Sequence, residues 1–416
     1  MQKDLSINNK HILISGASIA GPALACCLRR YGFQPTVVER TKQLREGGYK
    51  VDIRGAAVEV ARRMGIIDDI RRKSTNMRSA TYVTSDNKPI VTMPADFMNG
   101  RVDGEDEIMR GDLACILYEQ TRQEVEYLFG DSITSLVQND DGVKVTFERG
   151  EPRTFDLVIG ADGLHSNVRR LSLGDDSSFI HHLGGYISIF TIPNFLHLDH
   201  QELYYSTPGK LVSIYSTGKN TRATCLFFFT SPPLPYDYRD SMQQKKLLAN
   251  RFAGDGWHIP RLLQFMGDAP DFYFDSTSMI QMDHWSAGRV ALLGDAAYCA
   301  SPASGQGTGL ALVGAYVLAG ELHAAAGDYQ QAFARYESVM REYVKVNQEF
   351  ATVAVKYFTP QTQIQLWFRN LMLRVLPYVP WKNLITGKIM QDLQRAVNAI
   401  TLPDYERECT ETNQSV

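Results

Sequence analysis

The 416-residue chain is 44% hydrophobic and 21% charged, with a net charge of −3. Such a length buries a large core and points to two or three units, and nothing in the near-neutral balance predicts a nucleic-acid surface, which would need a basic patch or stripe. Six cysteines (Cys26, Cys27, Cys115, Cys225, Cys299, Cys409) show no metal-ligand spacing, and the polar start Met1-Gln2-Lys3-Asp4 lacks a signal-peptide apolar run. A reducing, cytoplasmic setting without disulfides or a metal centre is therefore expected.

His11-Ile12-Leu13-Ile14-Ser15 reads as a short buried strand, and Gly16-Ala17-Ser18-Ile19-Ala20-Gly21 as a tight turn opening a helix that runs to Arg30. A second strand, Thr36-Val37-Val38, ends in Glu39-Arg40. A strand, a glycine turn, a helix and an acid about 20 residues later suit a dinucleotide: the backbone approaches the pyrophosphate and the acid accepts from a ribose hydroxyl. Gly16 keeps the turn position and Gly21 the packing position. Ser18 replaces the middle glycine, so its side chain is expected to hold the pyrophosphate slightly further away. Glu39 is the candidate ribose ligand, with Arg40 beside it.

Arg45 precedes the pair Gly47-Gly48, after which come Asp52 and Arg54. A helix is predicted from Ala56 to Met64 and a strand over Ala80–Thr84. Ile108-Met109-Arg110-Gly111-Asp112 leads into another helix, with Asp112 as the expected N-cap. Leu157-Val158-Ile159-Gly160 is a further buried strand, ending in Asp162-Gly163 before a helix that carries Ser166, Arg169 and Arg170.

Residues 181–275 change character. Gly185–Ile192, Leu211–Tyr215 and Ala223–Phe229 read as strands separated by turns at Pro208-Gly209 and Gly218-Lys219-Asn220, which predicts an inserted antiparallel sheet. Phe190, Tyr215 and Phe227 are its candidates for lining a planar-ligand pocket, although alternating strand aromatics also serve as core. Lys210 is a candidate partner for an acidic substrate or a solvated charge. His181, His182, His197 and His200 are too irregular for a metal site.

The run Val290–Leu293 then ends in Gly294-Asp295, followed by Pro302 and Gly305-Gln306-Gly307-Thr308-Gly309, a Gly-rich opening to a small-residue helix. The carboxylate can accept from a sugar hydroxyl and the helix N–H groups can face phosphate. Beyond Gly327 the chain reads as helical, with Tyr329–Ala354 a long amphipathic candidate. The apolar stretch Ile364–Leu376 is a lid, a dimer surface or a membrane-surface helix; amphipathic helices ordinarily pack, which favours the lid or domain packing.

Taken in order, Gly16–Gly21, Asp162-Gly163 and Gly294-Asp295 resemble the three motifs of class A flavoprotein monooxygenases, the group typified by para-hydroxybenzoate hydroxylase. Within that group the chain is most similar to the tetracycline-inactivating monooxygenases (tetracycline destructases) of the soil-derived and Legionella-type branch. The pieces are Gly47-Gly48 with Val51-Asp52-Ile53-Arg54-Gly55, Ile108–Leu113, Phe190-Thr191-Ile192-Pro193-Asn194, Gly294–Cys299 and Thr401-Leu402-Pro403-Asp404-Tyr405. The His that the first-described branch carries near Phe227 has no counterpart.

The resemblance implies an α/β fold: a Rossmann-like FAD-binding domain (1–180 and 276–327), with 78–97 joining the sheet of an inserted antiparallel substrate domain (181–275), and a C-terminal helical region (328–416). It implies FAD as cofactor and NADPH as transient co-substrate. Asp162 would be linked to both, Asp295 would hold the FAD ribose and Arg110 would contact FAD. Asp52 and Arg54 would pass the isoalloxazine ring, Arg45 is an NADPH candidate, and Pro302–Gly309 would run under the flavin pyrimidine edge. No catalytic side chain is expected, since a flavin C4a-hydroperoxide carries the oxygen. The implied partner is a polycyclic or aromatic small molecule such as a tetracycline, acted on by a monomer or weak dimer and leading to antibiotic resistance. Alternatives are Baeyer–Villiger insertion, hydroxylation of another phenolic or polyketide metabolite, a non-catalytic flavin-bound drug-sequestering protein and a membrane-docked lipid epoxidase. Asp255 stands where a flavin halogenase requires Trp.

Overall fold

The computed structural model describes residues 7–44, 47–375 and 382–406. Its first layer is a six-stranded sheet in the order Ser286–Ala287, Val290–Leu292, Leu157–Gly160, His11–Ser15, Gln34–Glu39, Glu126–Phe129. All neighbours are parallel except the short edge strand Ser286–Ala287. The central strands are continuous apolar runs because both faces are covered: Ile12, Leu13, Ile14, Leu157, Val158 and Ile159 are fully buried. The helices Ala20–Arg30 and Gly307–Ala324 pack together over this sheet.

The second layer is a seven-stranded sheet in the order Tyr273–Ile280, Ile180–Pro193, Arg222–Thr230, Lys210–Ser216, Gln201–Thr207, Ser79–Val83, Pro89–Pro94. The hairpin Ser79–Pro94 thus supplies two strands from the N-terminal part of the chain, Ser79–Val83 running parallel to Gln201–Thr207. One face of the sheet is roofed by the helices Ser241–Arg251 and Ile259–Gly267. The paired strands Lys50–Ile53 and Asp106–Met109 meet the opposite face, where the backbone N–H of Lys50 donates to the Tyr215 hydroxyl at 3.1 Å.

Two local expectations change. The helix after Met109 begins at Arg110, so Asp112 lies inside its first turn and pairs with Lys73 at 2.9 Å instead of capping. The helix Gln363–Val375 packs only its inner face, with Leu366, Arg369, Asn370 and Leu373 partly covered against the sheet's outer strands. Its apolar stripe faces solvent. Among the described residues no helix is long and apolar enough to cross a membrane, and no His, Cys, Asp and Glu cluster could hold a metal.

Candidate cofactor site and the charged seam beside it

The N-terminal turn is held by close approach. A Cβ on Gly16, which sits at φ +108°, would stand 2.5 Å from the Ala161 carbonyl oxygen, and one on Gly21 would stand 1.9 Å from the Gly16 carbonyl oxygen. Glycine is therefore required at 16 by the second motif pressing on the first, and at 21 by the tightness of the turn itself. Glu39 closes the turn from the other side: it accepts from Ala17 N at 2.8 Å, Thr41 N at 2.9 Å and the Thr41 hydroxyl at 3.0 Å. A carboxylate has about four acceptor directions, so capacity remains for a ribose hydroxyl. Arg40 is exposed, and Arg45 lies outside the described residues.

Ser18 has a partner that the sequence did not announce. Arg110, at the start of its helix, donates from Nη2 to the Ser18 hydroxyl at 2.6 Å. Its backbone N–H is fixed by the Tyr49 carbonyl at 2.9 Å, and its guanidinium lies 6.0 Å from the Tyr49 ring.

The other two motifs are locked together. Asp162 turns its carboxylate to the start of the helix Asn167–Ser172, accepting from Asn167 N at 2.9 Å, Val168 N at 3.1 Å and the Ser166 hydroxyl. Burial raises its pKa and these hydrogen bonds oppose the shift. Arg169, fully buried, donates to the Ala296 carbonyl at 2.8 Å and the Leu164 carbonyl at 2.7 Å, and pairs with Asp176. It thereby clamps the Asp-Gly loop to the turn that carries Asp295. Asp295 itself is solvent-exposed although protein surrounds it, so it lines a cleft. Desolvation raises its carboxyl above the ordinary value, opposed by the Cys299 thiol and by Arg110.

The loop that follows completes the cleft. Pro302–Ser304 form a short 3-10 turn, and a Cβ on Gly307 would sit 3.7 Å from Asp295 Oδ1. Gln306 is buried with its Nε2 lacking a hydrogen-bond partner. Neither Ala20–Arg30 nor Gly307–Ala324, which begins with Gly307, Thr308 and Gly309, has a side chain capping its N-terminus. A donor without an acceptor, uncapped helix starts and a carboxylate open to a cleft fit a dinucleotide.

Beside the cleft runs a buried charged seam. Lys50 meets Glu202 at 2.6 Å and Glu107 at 3.5 Å; Arg101 meets Glu107 at 3.2 Å and Asp52 at 3.5 Å; Arg54 meets Asp52 at 2.8 Å. None of these side chains is more than 17% exposed. Asp52 and Arg54, expected beside the flavin ring, are thus brought to each other within this seam. Burial works against the Lys50 ammonium, but Glu202 and Glu107 outweigh it and raise its pKa. Burial likewise works against ionised Glu107, and Lys50 and Arg101 outweigh it and lower its pKa. For Asp52 burial prevails over Arg54 and raises the pKa.

The three pocket candidates separate by face. Phe190 and Phe227 stack at 5.8 Å beneath the roof helices, Phe227 packing edge-on to Phe252, and both are fully buried. That is the core role of alternating strand aromatics. Tyr215 is on the other face, against the Lys50 strand. Lys210 is neutralised by Asp255 at 2.6 Å.

A Rossmann-like sheet whose glycine turn, Asp-Gly loop and Gly-Asp turn converge on one cleft, with an antiparallel sheet set against it, defines a class A flavoprotein monooxygenase architecture. The chain belongs to the FAD-binding-domain family, whose profile matches residues 9–351. It is 48% identical over 318 residues to an uncharacterized protein of Mycobacterium tuberculosis, covering 76% of this chain and 86% of the relative. It is 44% identical over 317 residues to a flavin-dependent monooxygenase of Legionella longbeachae, covering 76% and 81%. Among solved structures, tetracycline destructase Tet(55) matches with a TM-score of 0.82 at 41% identity, over 95% of this chain and 99% of that one. The protein is a flavin-dependent monooxygenase with FAD as its cofactor.

Proposed function

We propose that the enzyme consumes NADPH and dioxygen to oxygenate a polycyclic, enol- or phenol-bearing small molecule of the tetracycline type, and so inactivates it. The observation that carries this reading is the likeness to Tet(55) over nearly the whole chain, substrate sheet included. FAD, when bound, supplies the redox chemistry by taking a hydride from NADPH and activating oxygen.

The chain's own groups bind, orient and exclude water. The Gly16–Gly21 turn and the uncapped start of Ala20–Arg30 receive the pyrophosphate, with Glu39 on one ribose and Asp295 on the ribose side of the second motif pair. Arg110 sets a fixed positive charge between Ser18 and Asp295. The first backbone N–H groups of the uncapped helix Gly307–Ala324 would hold negative charge at the flavin edge. Asp162 shapes the loop that approaches both nucleotides, through the helix it caps. Tyr215, buried in the sheet, fixes the Lys50–Ile53 strand beside the cleft by accepting the Lys50 N–H.

The test is purified protein with FAD and NADPH, scanned against tetracyclines and simple phenols. Tetracycline products heavier by one oxygen support the reading. Oxygenated phenols with untouched tetracyclines replace the substrate class. Drug binding without drug-dependent NADPH consumption leaves a sequestering protein and overturns the catalytic reading.

A further inference from the structure

The helix Gln363–Val375 carries Ile364, Trp367, Phe368, Leu371, Met372 and Val375 outward, each 37–80% exposed. At 100° per residue these six span an arc of about 140°, opposite the Leu366, Arg369, Asn370 and Leu373 face that meets the sheet. Only four other large hydrophobic side chains among the described residues are comparably exposed, and they are scattered as Val102, Val137, Met242 and Val353. The stripe is therefore a patch, not the ordinary scatter of surface apolar groups.

Its charge surroundings single out the occupant. Between Glu349 and Asp392 the sequence contains no acidic residue, in a chain whose net charge is −3, and Arg374 stands on the helix itself at the edge of the stripe, while Arg369 turns inward over the Tyr82 ring. Arg374 and Lys388 are exposed. A second copy docked through the same stripe would oppose cations to cations. An anionic lipid surface meets both features: Trp and Phe settle at the headgroup boundary, while Arg and Lys reach the phosphates.

We propose that this helix docks the enzyme on the surface of an anionic phospholipid bilayer, lying in its plane without crossing it. Docking sets the outer strands of the substrate sheet, against which the helix packs, beside the acyl boundary. It acts on the location of the enzyme and is independent of which substrate the flavin site oxygenates.

The test is co-sedimentation of the FAD-loaded full chain with phosphatidylcholine vesicles containing about one-third phosphatidylglycerol, beside pure phosphatidylcholine vesicles. Most of the protein should pellet with the anionic vesicles, several-fold less with the neutral ones, and less again at high salt. W367S/F368S should abolish pelleting while bound-flavin absorbance and circular dichroism stay unchanged, and R374E should weaken it several-fold. A wild-type protein that stays in the supernatant with both vesicles overturns the proposal, as does pelleting that W367S/F368S leaves intact. A dimer in light scattering that W367S/F368S dissolves, without vesicle binding, assigns the stripe to self-association instead.

Discussion

Arg110 donates to the Ser18 hydroxyl at 2.6 Å, so the serine that interrupts the glycine fingerprint anchors a cation at the turn. A hydrogen bond to a charged group contributes about 1.5–3 kcal/mol. Ser18→Ala should therefore weaken FAD binding by about tenfold or more, read by quenching of flavin fluorescence. Ser18→Gly restores the fingerprint and should still bind less tightly. Parental affinity in both variants would show that the contact does not hold the site.

Asp295 should be the residue that FAD retention depends on most. Asp295→Ala removes the only carboxylate of the Gly-Asp turn, and the purified variant should lose its flavin absorbance. Asp295→Asn keeps a carbonyl acceptor and should retain part of it. A fully flavinated Asp295→Ala protein sinks the assignment.

Removing Lys50 leaves Glu202 and Glu107 buried with one fewer cation between them. Breaking such a cluster costs about 3–5 kcal/mol, so Lys50→Met should lower the denaturation midpoint strongly. Adding Glu202→Leu should return much of the loss, because the stranded charge goes with its partner. A Lys50→Met protein as stable as the parent would contradict the burial of the seam.

The lowered pKa of Glu107 gives stability a direction with pH. Its ionised form is favoured by folding, so its contribution is present above the ordinary value of 4.5 and disappears as pH falls through the lower folded value. Urea midpoints should fall in that acid range, and Glu107→Gln should flatten this limb while lowering stability at neutral pH. An unchanged acid limb would mean that Glu107 is not held ionised by Lys50 and Arg101.

Phe227→Ala should cost about 3–5 kcal/mol of stability and leave substrate KM nearly unchanged, since the side chain lies under the roof helices. Tyr215→Phe should also lower stability, by about 1–3 kcal/mol, because it strands the buried Lys50 backbone N–H that the tyrosine hydroxyl accepts at 3.1 Å. Thermal melts check both losses, and a large KM effect from Phe227→Ala in steady-state kinetics would place the pocket on the roofed face.

What the sequence discloses and what it hides divide by distance along the chain. The glycine turn, Asp162-Gly163 and Gly294-Asp295 are contiguous, so spacing and periodicity reveal them. The partners Ser18 and Arg110 are 92 positions apart, and Lys50 and Glu202 are 152 apart; nothing local marks either pair. Strand alternation leaves Phe190, Tyr215 and Phe227 as equal candidates, because they lie on three strands and only the pairing register puts Tyr215 on the face away from the other two. Asp112 shows the smaller error: a capping residue type near a helix start, displaced by two positions from the start itself.

The order of strands has a consequence for synthesis. Val290–Leu292 slots beside Leu157–Gly160, and Arg169 reaches across to the Ala296 carbonyl. A chain emerging from the ribosome must therefore keep its first two motifs waiting until the third is translated. Flavin capture is in this sense a late checkpoint: a polypeptide halted before residue 290 has the turn that receives the pyrophosphate but lacks the strand, the carboxylate and the loop that shut the cradle around the cofactor.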